Sequence, residues 1–350
     1  MLTMIKKNTM ISNAVVLLSM VTVAVFMAPA MATDLNYRVT NTQHLDGDIK
    51  WDYLTFDADH QRLFITRGDH VDAFDLATKT VTATIPNTNG VHGVALAPAL
   101  NKGFASNGKD NSVTIFELSS LQIIGTVSVG KKPDAIIFDS FSKRVFVANS
   151  DSMNLTVIDA VSSKILGTIM LDGKPEFTAV DGKGKLFVNV EDKNQLVSVD
   201  TQKMQVLKRI DLSAICDEPA GLSIDTQHEI LFSGCHNQKM AIIDGQTGKI
   251  IGSPAIGKGS DATVYDEERQ LAFSSNGEGT LTIVGLDEKK SFVPKQTVKT
   301  MVSARTMALD TVSHNIYLVA AELDVPAKAA ENQRPKLKPE SFTLITVSSN

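Results

Sequence analysis

Seven residues able to bind ions or move protons recur along the chain at nearly constant intervals of 40 to 44 residues. We call them the ring residues: Asp52, His92, Asp134, Glu176, Glu218, Asp261 and Arg305. Five carboxylates, one imidazole and one guanidinium around one opening would bind a cation or a small polar ligand, with Arg305 orienting an acidic group. Alternatively, each carboxylate caps backbone N–H groups or pairs with a base in the next repeat.

The histidines raise the question of a metal. His92 with Asp52 or Asp134 would supply imidazole and carboxylate ligands for a divalent ion. The sequence contains no compact ligand motif such as H-x-x-x-H, so hydrogen-bonded histidines are the preferred interpretation.

A second set of polar residues lies where the second strand of a repeat ends, or in the loop that follows. Its members are Arg67, His70, Asn107, Asn149, Glu191, His236 and Asn276. Asn and Gly in segments such as "SNG" (106–108 and 275–277) are typical of turns, because both tolerate a positive φ. We interpret this set first as turn residues and second as ligand contacts.

The elements that position these residues are repeats of about 42 residues. In "KPDAIIFDSFSKRVFVANS" (132–150), an apolar strand ends at Asp, a polar turn follows, and a second strand carries a Phe near its start. A third and a fourth strand complete each of the first five repeats. Four short antiparallel strands per repeat predict an all-β fold, a β-propeller, and seven repeats predict seven blades.

Blade geometry predicts where the ring residues lie. The first strand of each blade lines the axis, and its start opens on the face that also carries the loop between the second and third strands; we call this the top face. In blade 5 the repeats can also be aligned one residue away, so the ring position at Glu218-Pro219 is assigned to within one residue. The seventh repeat is one strand short. We expect residues 36–45 to supply its outer strand, which closes the ring and removes an open sheet edge.

The repeats resemble those of the YVTN-type (YncE-like) β-propeller family. "RVFVANSDSMNLTVIDAVSSKILGTI" (144–169) and "LFITRGDHVDAFDLATKTVTATI" (63–85) carry the resemblance, which extends over 36–350. It implies a secreted or periplasmic seven-bladed propeller and little chemistry, because that family is defined by its scaffold. No catalytic motif of propeller lyases, lactonases or cofactor-bearing oxidoreductases matches. Kelch and WD40 repeats fit less well, since Trp51 is the only Trp.

The two cysteines are Cys216, in the connection to blade 5, and Cys235, at the top end of its second strand. First and second strands are antiparallel neighbours, so both residues reach one end of one blade. In an exported chain this predicts a disulfide. A soft-metal pair or a redox couple is the alternative.

The segment 321–341 departs from the repeat, because its counterparts in the top-face loops of other blades are only a few residues long. It carries three Pro and several charges. We expect either a loose surface insertion or a functional loop, a flap over the axial opening or an arm that docks a partner.

The N-terminus predicts a signal peptide, residues 1–32, followed by one propeller domain, residues 33–350. Lys6 and Lys7 precede the apolar run 11–27, and "APAMA" (28–32) offers cleavage after Ala32 or after Ala30. An uncleaved membrane anchor is the alternative. The mature chain is then expected in the periplasm or secreted, without a membrane span.

Charge and composition narrow the function classes. The formal net charge is -5, and no dense Lys/Arg run is present, which disfavours nucleic acid as a partner. We therefore expect a monomeric, non-enzymatic binding or interaction module whose ligand is small and polar or cationic. The alternatives are a metal-assisted lyase or hydrolase in the same opening, with a divalent metal as cofactor, and a scaffold for envelope proteins.

Overall fold

The computed structural model describes residues 35–47, 50–324 and 336–349. Its chain forms β1 (Arg38–His44) and then six sheets, each built from four strands consecutive in sequence and paired antiparallel. Alternating β-branched and aromatic residues in these segments suit half-buried strands. No α-helix occurs in the described ranges, where the helical turns are the 3-10 segments Pro98–Leu100 and Glu191–Lys193.

Each sheet is one blade. Blades 1 and 2 contain β2 (Leu54–Asp57), β3 (Arg62–Thr66), β4 (Val71–Asp75), β5 (Thr80–Ile85), β6 (Val91–Ala97), β7 (Lys102–Asn107), β8 (Ser112–Glu117) and β9 (Ile123–Ser128). Blades 3 and 4 contain β10 (Pro133–Asp139), β11 (Arg144–Asn149), β12 (Asn154–Asp159), β13 (Ile165–Met170), β14 (Pro175–Val180), β15 (Lys185–Val190), β16 (Gln195–Asp200) and β17 (Gln205–Asp211). Blades 5 and 6 contain β18 (Pro219–Asp225), β19 (Ile230–Cys235), β20 (Lys239–Asp244), β21 (Ile250–Gly252), β22 (Ser260–Asp266), β23 (Leu271–Asn276), β24 (Thr280–Leu286) and β25 (Phe292–Lys299).

Blade 7 is built from both ends of the chain. Its strands are β26 (Thr306–Leu309), β27 (Ile316–Ala320), β30 (Thr343–Ser348) and, outermost, β1. β1 pairs with β30 from Arg38 opposite Ser348 to His44 opposite Thr343. The predicted seven-bladed propeller, closed by the N-terminal strand, is confirmed.

The core is divided among the interfaces between neighbouring blades. A buried aromatic residue from the second strand of each blade packs in these interfaces: Phe64, Phe104, Phe146, Phe187, Phe232, Phe273 and Tyr317. Between blades 3 and 4, for example, Phe146 and Leu155 share a cluster with Leu186 and Val197. Because each blade is covered on both faces, every first strand is held firmly against the axis.

Aspartates at the ends of the first strands shape the turns on the face opposite the top face. Asp139 accepts hydrogen bonds from the backbone N–H and the hydroxyl of Ser142, at 3.1 and 2.7 Å. Blade 2 has Ala97 at this position and makes the connection with the 3-10 segment Pro98–Leu100 instead.

Blade 5 contains the predicted disulfide. Cys216 and Cys235 are bonded, with their Cα atoms 5.3 Å apart. Both are fully buried and pack with Leu212, Leu231 and Ile243. The bond joins the connection from blade 4 to the top end of β19.

The departure at 321–341 begins and ends as a strand pair. β28 (Leu323–Asp324) pairs with β29 (Lys336–Leu337), and Lys338 forms an ion pair with Glu322 at 2.7 Å. Residues 325–335, within the expected flap or docking arm, lie outside the described residues, as does the expected signal peptide, 1–32. In the part of the chain that is described, no helix has the length and apolar character needed to cross a membrane.

Candidate functional site

Strand pairing fixes which residues begin the first strands at the axis. In blade 3, Pro133 lies opposite Asn149, and Asp134 follows directly before a bulge that ends at Ile136. Corresponding registers in five other blades put predicted ring residues at the same position: Asp52, His92, Glu176, Asp261 and Arg305.

Blade 5 differs from the prediction. Pro219 lies opposite Cys235, as Pro133 does opposite Asn149, so the ring position is Ala220. Glu218 comes two residues earlier, is exposed, and hydrogen-bonds His236 at 2.8 Å. The ring therefore has six polar members and one alanine, and its carboxylates number four.

Three ring residues of blades 1 to 3 form a connected group. Nδ1 of His92 lies 2.6 Å from Oδ2 of Asp52 and 3.5 Å from Oδ1 of Asp134. Burial alone would lower the pKa of His92, but the hydrogen bond to Asp52 and the charge of Asp134 outweigh it and raise that pKa. Burial raises the pKa of Asp134 to about 7, although His92 opposes the shift.

A residue absent from the sequence prediction, Tyr53, bridges the axis. Its hydroxyl donates a hydrogen bond to Oε1 of Glu176 at 3.4 Å, and its ring meets Phe177 edge-on at 4.9 Å. Blades 1 and 4 are not neighbours in the ring, so these contacts cross the centre. Burial, with repulsion from Asp134 and Asp261, raises the pKa of Glu176 to about 9. At neutral pH Glu176 therefore holds a proton.

Small residues elsewhere in the ring make room for this bridge. The position after the ring residue is aromatic in blades 1 and 4; in the other blades it holds Gly93, Ala135, Gly221, Ala262 and Thr306. A Cβ added at Gly93 would lie 3.7 Å from the Tyr53 ring, and one at Gly221 would lie 2.5 Å from the backbone nitrogen of Thr263. Gly93 therefore lies in van der Waals range of the Tyr53 ring, whereas Gly221 is required by the close approach of the blade 6 backbone.

Arg305 neutralises one carboxylate of the ring. Its Nε lies 2.8 Å from Oδ2 of Asp261. Burial raises the pKa of Asp261 to about 6, with Arg305 opposing the shift. Salt bridges between neighbouring blades were the alternative to a ligand role for the ring residues, and this pair, like Asp52 with His92, fits that alternative.

Four residues of the second set are buried and bind neighbouring side chains of the protein itself. Asn107, Asn149 and Asn276 are at most 1% exposed, and each amide donates to Ser, Thr or Asn side chains of the adjoining third strand. Arg67 is 1% exposed, pairs with Asp72 at 2.8 Å and lies over the Phe342 ring. The three Asn end strands β7, β11 and β23 and none has a positive φ, so buried contacts with neighbouring residues, and not turns, account for these positions.

The other three members lie outside the ring positions, although Glu191 and His236 are close enough to act on the charge of Asp261. His70 is paired with Asp69 at 2.6 Å. Glu191, Glu218 and His236 form a second group whose ligand-type atoms lie within 4.8 Å of one another. Only Glu191 of these three is partly buried, and its charge contributes to the raised pKa of Glu176.

The ring adjoins a top-face pocket over blades 1 to 3, with a volume of about 710 Å³. Asp52, His92 and Arg305 line it, together with four lysines that are not ring residues: Lys50, Lys109, Lys131 and Lys132. Its lining holds five cationic side chains and two carboxylates, Asp52 and Asp151. The pocket lining is therefore basic, whereas the ring residues are mostly acidic.

Asp52, His92 and Asp134 offer metal-ligand atoms within 4.8 Å of one another. Ligands of a tetrahedral zinc site lie about 3.3 Å apart, from bond lengths near 2.0 Å. The 2.6 Å between Nδ1 of His92 and Oδ2 of Asp52 is a hydrogen-bond distance. A metal here would replace the Nδ1 proton and spread the group.

Comparison with known proteins addresses the fold. Hydrazine synthase from Kuenenia stuttgartiensis is similar over 79% of this chain and 94% of that chain, with a TM-score of 0.68 and 16% identity. No protein-family model matches the sequence, and no curated protein matches it. A likeness at this identity concerns architecture and carries no activity across. With seven four-stranded antiparallel blades closed into a ring, the chain has the seven-bladed β-propeller fold.

Proposed function

We propose that this protein is an exported β-propeller of the YVTN type that binds a small polar ligand at its top face, without turning it over. One observation carries the proposal: the hydrogen-bonded pair of Asp52 and His92 lines a pocket of about 710 Å³. A concave pocket with a few convergent polar groups is the usual form of a ligand site.

The groups behind that pair support the same site. Asp134 is 7% exposed and has His92 as its ion-pair partner, while Glu176 depends on the Tyr53 hydroxyl. Burying a charged carboxylate is costly. Burial raises the pKa of Asp134 to about 7 and that of Glu176 to about 9, so both hold a proton at a higher pH than a free acid does. Such groups cluster at functional sites more often than elsewhere.

Export is supported by the Cys216–Cys235 disulfide, since such bonds persist in oxidising compartments. We propose that residues 1–32 are removed and that 33–350 act as a monomeric single domain in the periplasm or outside the cell. Native mass spectrometry of protein recovered from a periplasm tests this. The expected mass is that of a chain that begins at Thr33 and lacks two hydrogens because of the disulfide.

The same spectra test the ligand. We expect a stoichiometric organic adduct that disappears in His92→Ala and persists in His228→Ala, whose imidazole is likewise held by an aspartate but lies on the opposite face. Melting curves with added metabolite mixtures, read beside a turnover assay, should show stabilisation without product. A bare chain that no mixture stabilises, or a co-purified protein that survives His92→Ala, would overturn the proposal; the latter outcome indicates an envelope scaffold.

A metal-assisted lyase or hydrolase is the second candidate, favoured by the proximity of the Asp52, His92 and Asp134 ligand atoms. It requires a metal in the purified protein at one per chain. Metal analysis of the wild type and of Asp134→Asn distinguishes the candidates, because a metal enzyme loses both metal and turnover in the variant. Protein free of metal at full ligand occupancy would exclude the enzyme.

A further inference from the structure

The charge of the top-face pocket is carried by lysines from three separate segments. Lys50 precedes blade 1, Lys109 lies in the turn between β7 and β8, and Lys131 and Lys132 lie in the connection to blade 3. Within the described residues, none of the four forms an ion pair with a carboxylate. Cations that gather in a concavity without carboxylate partners raise the local concentration of anions.

Side chains of other loops fix the backbone that carries two of these lysines. The N–H of Lys131 donates to the Ser152 hydroxyl at 2.7 Å, and the N–H of Lys132 donates to Oδ1 of Asn111 at 2.9 Å. Lys132 itself has a left-handed backbone, with φ of 52°. Preorganised positions reduce the entropy lost when a ligand binds.

His92 adds a directed group at the pocket wall. Its Nδ1 is engaged by Asp52, which leaves Nε2 available. No described residue hydrogen-bonds Nε2, which lies beside Gly108: a Cβ added at Gly108 would come within 2.6 Å of it. Gly108 and His92 both line the pocket. When the ring is protonated, Nε2–H is a hydrogen-bond donor to the pocket.

Charge counts decide the ligand class. Of the two carboxylates in the lining, Asp52 is occupied by His92, and Arg305 is occupied by Asp261. The remaining groups are the four lysines, the imidazole and the exposed Asp151. A cationic ligand would face four lysines against the single carboxylate of Asp151, whereas an oxyanion would receive charge-assisted hydrogen bonds.

We propose that the pocket over blades 1 to 3 binds a small molecule bearing a multiply charged oxyanion, a phosphate monoester or a polycarboxylate, received by the lysines and Nε2 of His92. This inference rests on the proposed function, since it assigns the ligand class of the same site. It replaces the cationic ligand expected from the carboxylates of the ring.

Calorimetry on the mature full chain tests it with glycerol 3-phosphate and citrate as the two oxyanion sources, and with glycerol and choline as neutral and cationic probes. We expect at least one oxyanion to bind about tenfold or more tightly than glycerol and choline, and to weaken as NaCl is raised. Which of the two binds identifies the source.

The variant pair Lys131→Gln/Lys132→Gln should weaken the bound oxyanion by about tenfold, because two charge-assisted contacts are lost. The matched control is Lys289→Gln/Lys290→Gln, an adjacent lysine pair whose second member also has a left-handed backbone, on the opposite face. Equal weakening in both would overturn the inference.

The two proposals fail in different ways. Binding of glycerol or choline without either oxyanion, abolished by His92→Ala, would retain the top-face site and overturn the ligand class. Binding of no probe, together with a bare chain in native mass spectrometry, would overturn the site itself. Oxyanion binding that survives Gly108→Ala, which crowds Nε2, would remove His92 from the contact set.

Discussion

The Tyr53 hydroxyl donates to Glu176 across the propeller axis, at 3.4 Å, and thereby links blade 1 to blade 4. These two blades share no interface, so the contact ties together parts of the ring that their own sheets do not join. The acceptor is a carboxyl group whose pKa is about 9, raised chiefly by burial. Proton binding and packing are therefore coupled at the centre of the molecule.

The first prediction concerns pH and Glu176. Folding raises the pKa of this acid from about 4.3 to about 9, so the folded state binds the proton more tightly. The resulting stabilisation is complete below the unfolded pKa and is lost as the pH rises through 9. Between pH 5 and 9 the unfolding free energy of the wild type should fall by up to about 5 kcal/mol more than that of Glu176→Gln, because each pH unit between the two pKa values corresponds to about 1.36 kcal/mol.

Urea denaturation at several pH values measures this difference. Asp134 and Asp261 also have raised pKa values, and their charges repel an ionised Glu176, so the measured difference includes this repulsion. The exposed Glu288→Gln should retain the wild-type slope. Parallel curves for the wild type and Glu176→Gln would show that Glu176 is ionised in the folded protein.

The disulfide gives the second prediction. It closes a loop with a sequence separation of 19, for which chain entropy predicts about 3 kcal/mol. The double variant Cys216→Ala/Cys235→Ala should be destabilised by about that amount, with a further loss from the packing of two buried sulfurs. Denaturation of the wild type with and without reductant checks it, and a wild type insensitive to reductant after full unfolding and refolding would contradict it.

Two glycines of blade 2 form a matched pair for the third prediction. A Cβ at Gly103 would overlap the ring of Phe116, whereas a Cβ at Gly125 meets nothing within 4 Å. We expect Gly103→Ala to cost about 1–3 kcal/mol by overpacking. Gly125→Ala should be neutral or stabilising by about 0.5 kcal/mol, because the unfolded chain loses freedom. Equal melting temperatures for the two variants would show that Phe116 moves aside without cost.

The fourth prediction concerns the buried ion pair of Arg67. Replacing Arg67 by Met removes the guanidinium partner of Asp72, which is 5% exposed, and the stack on Phe342. Asp72 keeps Nε2 of His70 at 3.5 Å and the Thr84 hydroxyl at 3.2 Å, so the cost should lie at the lower end of the range that follows. Leaving a buried charge uncompensated costs about 3–5 kcal/mol. Arg38→Met, an exposed change in the outermost strand, is the control and should cost little. Urea denaturation midpoints of the two variants measure the difference, and a small effect at both positions would mean that Asp72 becomes hydrated.

The blades and most of the ring were predictable because both depend on periodic features of the sequence. In blades 3 and 4 the ring residue precedes the turn aspartate by five positions, as Asp134 does Asp139. Counting back from Asp225 in blade 5 reaches Ala220. Glu218 lies seven positions before Asp225, so the constant spacing excludes it from the ring.

The chemistry of the site was less predictable, because it depends on where side chains meet. Tyr53 had a signal in the sequence: it and Phe177 stand where other repeats have Gly, Ala or Thr. The pocket lysines had none, because Lys50, Lys109 and Lys132 belong to loops of different repeats and converge only when the blades pack. The ion pair of Asp261 with Arg305 neutralises two of the ring charges, and only the three-dimensional structure shows that these side chains meet.

The pairing of β1 with β30 has a consequence for the order of events in folding. Hydrogen-bonded residues such as Thr40 and Thr346 are separated by 306 positions, a contact order far above that of the hairpins within each blade. Blades 1 to 6 need only strands that are consecutive in sequence, whereas the first strand can pair only when the last one is present. Until then its unpaired edge is available to chaperones, and cooperative ring closure is the final step.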